Sequence, residues 1–334
     1  MTTAANSTKD PKTGKLLEIN GITKVFRIGG MLLGKKLVAV DDISLSIDND
    51  RPVILSIVGE SGCGKSTLCK MILRLYDPDQ GTITLNGKPY SAWKKKDTKP
   101  FYQAVQPIFQ NPFETFSPRK TVDSYLYNTA LRLGICATRK EADQRIDEIL
   151  HSVGLSLAVV KGKYSTQFSG GELQRISIAR ALITRPRLII ADEPVAAIDA
   201  SMKMNIVNLF KDLKEQYQVS FIYITHDLST AYYVSDYIAT LYRGGMIEYG
   251  PAKEIMDAPA HPYTELLMNA VPVVGEKWDE SMVMPDMEDK EYAITHCKFA
   301  KRCRYATDEC RQSRPEMVEL GNERKVLCFH PLLK

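Results

Sequence analysis

The chain of 334 residues contains no run of eighteen apolar residues, the length that a membrane-crossing helix requires. Its first fifteen residues are polar and rich in Thr, Lys and Ala, without the apolar stretch of a secretory leader. The expectation is therefore an intracellular protein whose membrane location, if any, comes through partners. No internal repeat at solenoid spacing is present. An excess of charge of one sign is also lacking. The 44 Lys and Arg against 40 Asp and Glu leave a formal net charge of +4, too little to indicate a nucleic-acid partner unless gathered on one face. A hydrophobic content of 44% and a charged content of 25% exclude a disordered or fibrous chain. The length suits one large core, or one domain with an appendage.

What is present alternates between short apolar runs and helical segments. Residues 17–25 and 38–47 read as strands, joined by a Gly-rich connection at 29–34. Residues 53–58 form an almost wholly apolar run, as in a buried parallel strand. They lead into Gly59 and a helix over 65–75. Residues 81–85 read as a strand ending in an Asn86-Gly87 turn. Residues 188–191 and 219–225 are two more buried strands, with a helix over 202–215 between them. Residues 238–241 and 246–248 read as strands around Arg243-Gly244-Gly245. Helices are expected over 123–133, 140–153 and 169–182. The fold class is α/β with a mainly parallel sheet. The stretch 113–183 carries no convincing strand and reads as a helical insert. Residues 276–291 read as a polar arm or linker, followed by a cysteine-containing segment.

The strongest local signal is Gly59-Glu60-Ser61-Gly62-Cys63-Gly64-Lys65-Ser66-Thr67, placed between a predicted buried strand and a helix. Gly59, Gly62 and Gly64 let the loop curl so that backbone N–H groups face phosphates, with the helix N-terminus adding its dipole. Ser61 and Cys63 lie within that loop. Lys65 reaches the β and γ phosphates of ATP, Ser66 ligates Mg²⁺, and Thr67 supports the adjacent phosphate oxygens. Asp192 and Glu193 end the second buried strand, where one carboxylate holds the Mg²⁺ shell and the next polarises the attacking water. His226 ends the third buried strand. It is placed to contact the γ-phosphate or to orient the water and Glu193, at the strand ends where open α/β sheets put their sites.

Phe168-Ser169-Gly170-Gly171-Glu172-Leu173-Gln174-Arg175 resembles the signature segment of the ABC ATPases. The resemblance implies a P-loop ATPase core, an antiparallel β subdomain and the helical insert, at about residues 112–183. It implies two ATPase domains packed head to tail, with Ser169, Gly170, Gly171 and Glu172 serving the ATP of the opposing subunit. Gln110 resembles the residue that senses Mg²⁺ and the γ-phosphate, Glu193 the general base and His226 the switch histidine. Ala197-Ile198-Asp199 resembles the loop that touches the partner. Phe26 is the candidate for stacking on adenine, and Val40 for contacting base or ribose. Three positions depart from the pattern: Phe168 stands for Leu, Glu172 for Gln, and Ala196 for the Ser of many relatives.

Ala258-Pro259-Ala260-His261-Pro262-Tyr263-Thr264 is similar to the "HPYT" region of the oligopeptide/dipeptide importer ATPases, whose C-terminal extension also carries the pattern of Cys297, Cys303, Cys310 and Cys328. This implies an "F" type ATPase subunit, paired with a paralogous ATPase beneath two membrane permease subunits and fed by a substrate-binding protein. Its place would be peripheral, on the cytoplasmic membrane face, with no nucleic acid involved. Related oligosaccharide or nickel importers are the alternative, and behind them a soluble non-transport ABC ATPase or a regulatory ATP-binding protein. The expected division is a segment 1–15, an ATPase domain 16–272 and an extension 273–334.

Four late thiolates are able to hold an iron–sulfur cluster or zinc. The resemblance favours a [4Fe–4S] cluster on Cys297, Cys303, Cys310 and Cys328, with Zn²⁺ as the alternative. His296 and His330 leave mixed ligation open. The basic residues Lys298, Lys301, Arg302, Arg304, Arg311 and Arg314 would offset a cluster's charge, face acidic lipid, or form an ordinary solvated face.

Overall fold

The computed structural model describes residues 14–28, 35–93, 98–269 and 294–332. The expected Gly-rich connection at 29–34, the polar arm 276–291 and the boundary at 272–273 lie outside these residues, as does nearly all of the segment 1–15.

The first strands are β1 (Lys15–Ile28), β2 (Lys35–Asp48) and β3 (Ile54–Val58). Helix α1 (Lys65–Ile72) follows, then β4 (Gln80–Leu85) and β5 (Lys88–Pro89). A short helix α2 (Lys99–Ala104) leads into β6 (Val105–Ile108). Helices then take over: α3 (Pro112–Thr115), α4 (Val122–Arg132), α5 (Arg139–Ser152), α6 (Leu157–Val160) and α7 (Gly170–Leu182). The core resumes with β7 (Leu188–Asp192), α8 (Ala200–Tyr217), β8 (Ser220–Ile224), α9 (Leu228–Val234), β9 (Tyr237–Tyr242) and β10 (Gly245–Pro251). The chain closes with α10 (Ala252–Asp257), α11 (Pro262–Asn269), α12 (Asp308–Gln312), β11 (Met317–Gly321) and β12 (Arg324–Leu327).

Two sheets result. The smaller is antiparallel, in the order β2-β1-β4-β5, and the larger runs β11-β12-β10-β9-β3-β8-β7-β6. Within the larger, β9, β3, β8, β7 and β6 are parallel, while β10, β12 and β11 add antiparallel strands at one side. The strands β3 and β8 are buried at every residue because both faces are covered. Alternation along them divides the core in two. Ile54, Ile189, Phe221 and Tyr223 face the helical insert and α8, whereas Leu55, Ile57, Ile190, Ile222 and Ile224 face α1 and the antiparallel sheet. Among the described residues the insert holds no strand, only one isolated bridge from Thr121 to Tyr164.

Strand β6 escapes the sequence pattern because Pro107 interrupts it. It takes the sheet edge, where a missing backbone donor costs no ladder bond. The C-terminal hairpin is joined to the core sheet, with Glu248 opposite Val326 and Tyr249 opposite Lys325. Of the three thiols that precede it, Cys297 and Cys303 pack beside a small aromatic cluster of Tyr242, Tyr263 and Phe299.

The metal expectation is corrected here. Among the described residues no group of three or more His, Cys, Asp or Glu side chains is arranged to hold a metal ion. Neither a [4Fe–4S] cluster nor zinc is supported on Cys297, Cys303, Cys310 and Cys328, which are free thiols. Burial pushes the Cys297, Cys303 and Cys328 thiols up, the last to about 11, which disfavours the thiolates a metal requires. His296 Nδ1 is against the Cys297 carbonyl and His330 Nε2 against Thr307 Oγ1. Five of the six basic residues named with the cluster pair with carboxylates. Lys298 and Arg314 both reach Asp41, Arg302 reaches Glu60, Arg304 reaches Glu265 and Arg311 reaches Asp308.

Candidate active site

The loop between β3 and α1 is shaped by glycines that no other residue replaces without movement. A Cβ on Gly64, whose φ is +105°, would sit 2.2 Å from the Ala39 carbonyl oxygen. One on Gly59 would sit 2.3 Å from the Leu241 carbonyl oxygen. Gly62 also has a positive φ, of +80°. The loop is thereby pressed between β2 and the end of β9. Cys63 is buried within it, and burial raises its thiol. Lys65, 6% exposed, curls back under the loop and donates to the carbonyls of Gly59 at 2.7 Å and Glu60 at 2.8 Å. Ser66 and Thr67 open α1.

The other chemistry-bearing residues arrive from strand ends. Asp192 closes β7, and the Ser66 hydroxyl hydrogen-bonds its carboxylate. Burial, then the charge of Glu193, raises Asp192 above the usual carboxylate range. Such a carboxylate lacks a full counter-charge, and Ser66, Gln110 and Asp192 line one cleft of about 860 Å³ with oxygen donors. That donor set fits a hard divalent cation such as Mg²⁺. Glu193 has a left-handed backbone (φ +46°), a cost borne at few places outside functional sites, and its N–H donates to Ile224 at the end of β8. Its carboxylate is addressed from two sides. Gln110 Nε2 donates to one oxygen at 3.0 Å, and His226 Nδ1 lies 3.2 Å from the other. The structure thus brings Lys65, Ser66, Gln110, Asp192, Glu193 and His226 to one end of the parallel sheet.

Next to His226 stands a residue to which the sequence analysis gave no role. Asp227 caps α9, accepting from Ser229 and Thr230 N–H, and pairs with Lys203 of α8 at 2.9 Å. The one signal in the sequence was the residue type, since Asp is favoured at the residue that opens a helix.

Ser169 caps α7, and Glu172 returns the bond: Ser169 N–H donates to Glu172 Oε2 at 2.8 Å, and Glu172 N–H to Ser169 Oγ at 3.3 Å. The bonds described for this segment remain within its own capping box, and Ser169 is exposed. A Cβ on Gly170 would meet the Ala197 carbonyl at 3.3 Å, so the segment abuts the loop 197–199. Gly171 is buried, with a Cβ placed there 3.5 Å from Met202 in the first turn of α8, and Asp199 caps α8 without a side-chain bond. Phe26 is half-buried, edge-on to Tyr76 at 5.6 Å between centroids. Val40 is fully buried, packed in the core beneath the antiparallel sheet.

Comparison with known proteins places these features. A family model described as "ABC transporter" matches residues 40–196, and one described as "Oligopeptide/dipeptide transporter, C-terminal region" matches residues 247–310. The chain is similar to the oligopeptide transport ATP-binding protein AppF of Bacillus subtilis, 36% identical over 324 residues, covering 94% of this chain and 96% of the relative. It is similar also to the di/tripeptide transport ATP-binding protein DppF of Pseudomonas aeruginosa, 31% identical and covering 94% and 97%. The oligopeptide transport ATP-binding protein OppF of Bacillus subtilis is 39% identical over 272 residues, covering 81% and 87%. Among solved structures, the dimeric post-hydrolysis state of the ATP-binding cassette MJ0796 bound to ADP and Pi aligns with a TM-score of 0.61 at 26% identity, over 71% of this chain and 98% of that one. The cbiO1 protein of Clostridium perfringens shares the fold, with a TM-score of 0.62 at 23% identity over 73% and 91%.

Proposed function

The chain belongs to the ATP-binding subunits of the oligopeptide/dipeptide ABC-importer family, and from that premise we propose that it hydrolyses ATP to power peptide import. The observation that carries this reading is the convergence of Gln110 and His226 on the carboxylate of Glu193, beside the loop that holds Lys65. Glu193 orients the attacking water and accepts its proton, and His226 fixes the carboxylate while facing the γ-phosphate. Lys65 leaves the loop carbonyls to meet the phosphates, and the loop N–H groups cradle them. Ser66, Gln110 and Asp192 would hold Mg²⁺, which would supply neutralisation of charge on the phosphate oxygens. Phe26 provides an aromatic face for adenine.

Partners follow from the same premise. Ser169, Gly170 and Gly171 with Asp199 serve the nucleotide of a paralogous ATPase packed head to tail, a mode supported by the dimeric MJ0796 cassette. Among the described residues no helix is long and apolar enough to cross a membrane. The family premise puts its membrane attachment on permease subunits, at the cytoplasmic face. A cleft of about 430 Å³ between the core and the insert fits an apolar helix from such a subunit; Leu73, Tyr102, Phe109 and Tyr125 line it. The ATPase core spans residues 16–272 and the extension 273–334.

The test is co-purification with the products of neighbouring genes, then ATPase assay with and without a loaded binding protein. Turnover stimulated only by a peptide-loaded binding protein is expected. Stimulation by a sugar-loaded or nickel-loaded protein alone would reassign the cargo, and turnover indifferent to any permease would remove the transport role.

A further inference from the structure

Glu60, the second residue of the phosphate loop, has every polar group engaged. Its N–H donates to Tyr263 Oη at 3.0 Å. Its carbonyl accepts from Lys65 Nζ at 2.8 Å and from Cys63 N–H at 3.3 Å. Its carboxylate is gripped by both arms of the Arg302 guanidinium, at 2.9 and 3.1 Å. Tyr263 lies 203 residues along the chain and Arg302 lies 242. The pair is shielded, with side chains 10% and 14% exposed. The guanidinium also lies 5.7 Å from the Tyr242 ring centre and 5.8 Å from that of Phe299.

The same C-terminal segment secures the opposite end of the loop. Lys298 Nζ donates to the Arg243 carbonyl at 2.7 Å and pairs with Asp41 at 2.7 Å. In the turn that follows Arg243, the Gly244 N–H donates to the Cys63 carbonyl at 2.9 Å, and the Gly244 carbonyl accepts from Asp41 N–H at 2.9 Å. Residues 298–302 are thus fastened to both flanks of the loop, at Glu60 directly and at Cys63 through the 243–245 turn. A nearly buried ion pair is a poor source of net stability, because desolvation offsets most of its attraction. Its bidentate geometry instead fixes an orientation.

We propose that Arg302 and Tyr263 are positioning residues for the phosphate loop, so that this subunit's affinity for ATP depends on its C-terminal extension. The inference rests on the ATPase reading above. With Glu60 held at its N–H and at both carboxylate oxygens, its peptide is fixed in place, and the neighbouring N–H groups keep the curl that faces phosphates. When the grip is released, the peptides on either side of Glu60 rotate, and the loop must be reordered by the nucleotide itself.

The experiment uses the full chain in its transporter complex. It measures both the ATP dependence of turnover and the binding of a fluorescent ATP analogue. Arg302→Gln is expected to raise KM and Kd about tenfold with kcat changed by less than about twofold, because a preorganised contact is lost and the chemistry is not. Arg302→Lys recovers part of this, keeping the charge without the fork. Tyr263→Phe removes one hydroxyl, leaves the aromatic packing intact and moves KM in the same direction. Glu60→Gln combined with Arg302→Gln is no worse than either alone, since the two share one interaction. A merely structural role would lower the melting temperature and the active fraction while leaving KM unchanged, and that result in Arg302→Gln and Tyr263→Phe overturns the inference. A wild-type complex that binds the analogue without turnover defeats the ATPase reading instead, and the binding arm still decides the positioning role.

Discussion

His226 Nδ1 lies 3.2 Å from one carboxylate oxygen of Glu193, and Gln110 donates to the other at 3.0 Å. A carboxylate held at both oxygens has a fixed plane, as a group that must aim a water requires. Glu193→Gln keeps the size and the contact with His226 but cannot accept a proton. Its turnover is expected to fall by about 10²- to 10⁴-fold, the usual range for a general base, with nucleotide affinity within about threefold of wild type. Single-turnover hydrolysis beside equilibrium binding makes the check. Retained hydrolysis would assign the base elsewhere.

Glu172 occupies the place where the family pattern has Gln, yet its task is visible in the capping box with Ser169. The Ser169 N–H and hydroxyl hold its carboxylate below the usual range. Gln at the third helical position makes the same reciprocal bond. Glu172→Gln is therefore expected to leave the melting temperature and turnover near wild type. Ser169→Ala removes the cap, costing about 1 kcal/mol of stability, and it also lowers ATP-driven association with the partner ATPase. Thermal melting and sedimentation with ATP separate the two effects.

Glu248 is wholly buried, and three donors converge on it: Ala260 N–H, His261 N–H and Arg324 Nη2, at 2.8, 3.0 and 2.9 Å. It joins β10 to the segment before α11 and to β12. Glu248→Ala leaves the Arg324 charge buried and unpaired, at a cost of about 3–5 kcal/mol. Adding Arg324→Met should not restore stability, because the two backbone amides still lack an acceptor. Urea unfolding of the single and double variants is the measurement. Full rescue by the second change would show that the ion pair alone mattered.

How much of this the sequence disclosed depended on distance along the chain. The loop 59–67, the Asp192-Glu193 pair and His226 were legible because each is a short motif at the end of an all-apolar strand. The strands β3, β7 and β8 were legible for the same reason. The edge strand β6 was hidden by Pro107, and β12, which reads Arg-Lys-Val-Leu, has no apolar alternation to betray it. Its pairing with β10 is a long-range contact that no local pattern carries. The grips of Tyr263 and Arg302 on Glu60 were equally invisible. The cysteine spacing was read as metal ligation, but spacing says nothing of what surrounds the thiols, and there burial and the commitment of nearby cations to carboxylates decided otherwise.

His261 offers a test of the same segment by pH. It is 2% exposed, and burial lowers its pKa to about 3. Its Nδ1 accepts the Tyr263 N–H at 3.0 Å, its own N–H is fixed by Glu248, and its ring packs against Phe299 at 5.7 Å between centroids. The neutral imidazole is thus the form that the fold accommodates. In the unfolded chain the same group binds a proton near its ordinary value of 6.5. Above that value both states are neutral and His261 adds no pH dependence. As pH falls below it, the unfolded state gains a proton that the folded state refuses, and stability drops by up to about 1.4 kcal/mol per pH unit until pH reaches the folded value. His261→Asn retains an acceptor for Tyr263 N–H and cannot titrate. Its urea midpoint should fall less steeply than that of wild type between about pH 6.5 and about pH 4.5, with no difference in slope above pH 7. Parallel slopes below about pH 6.5 would mean that another group takes the proton, and that the buried imidazole is not the acid-sensitive point of this segment.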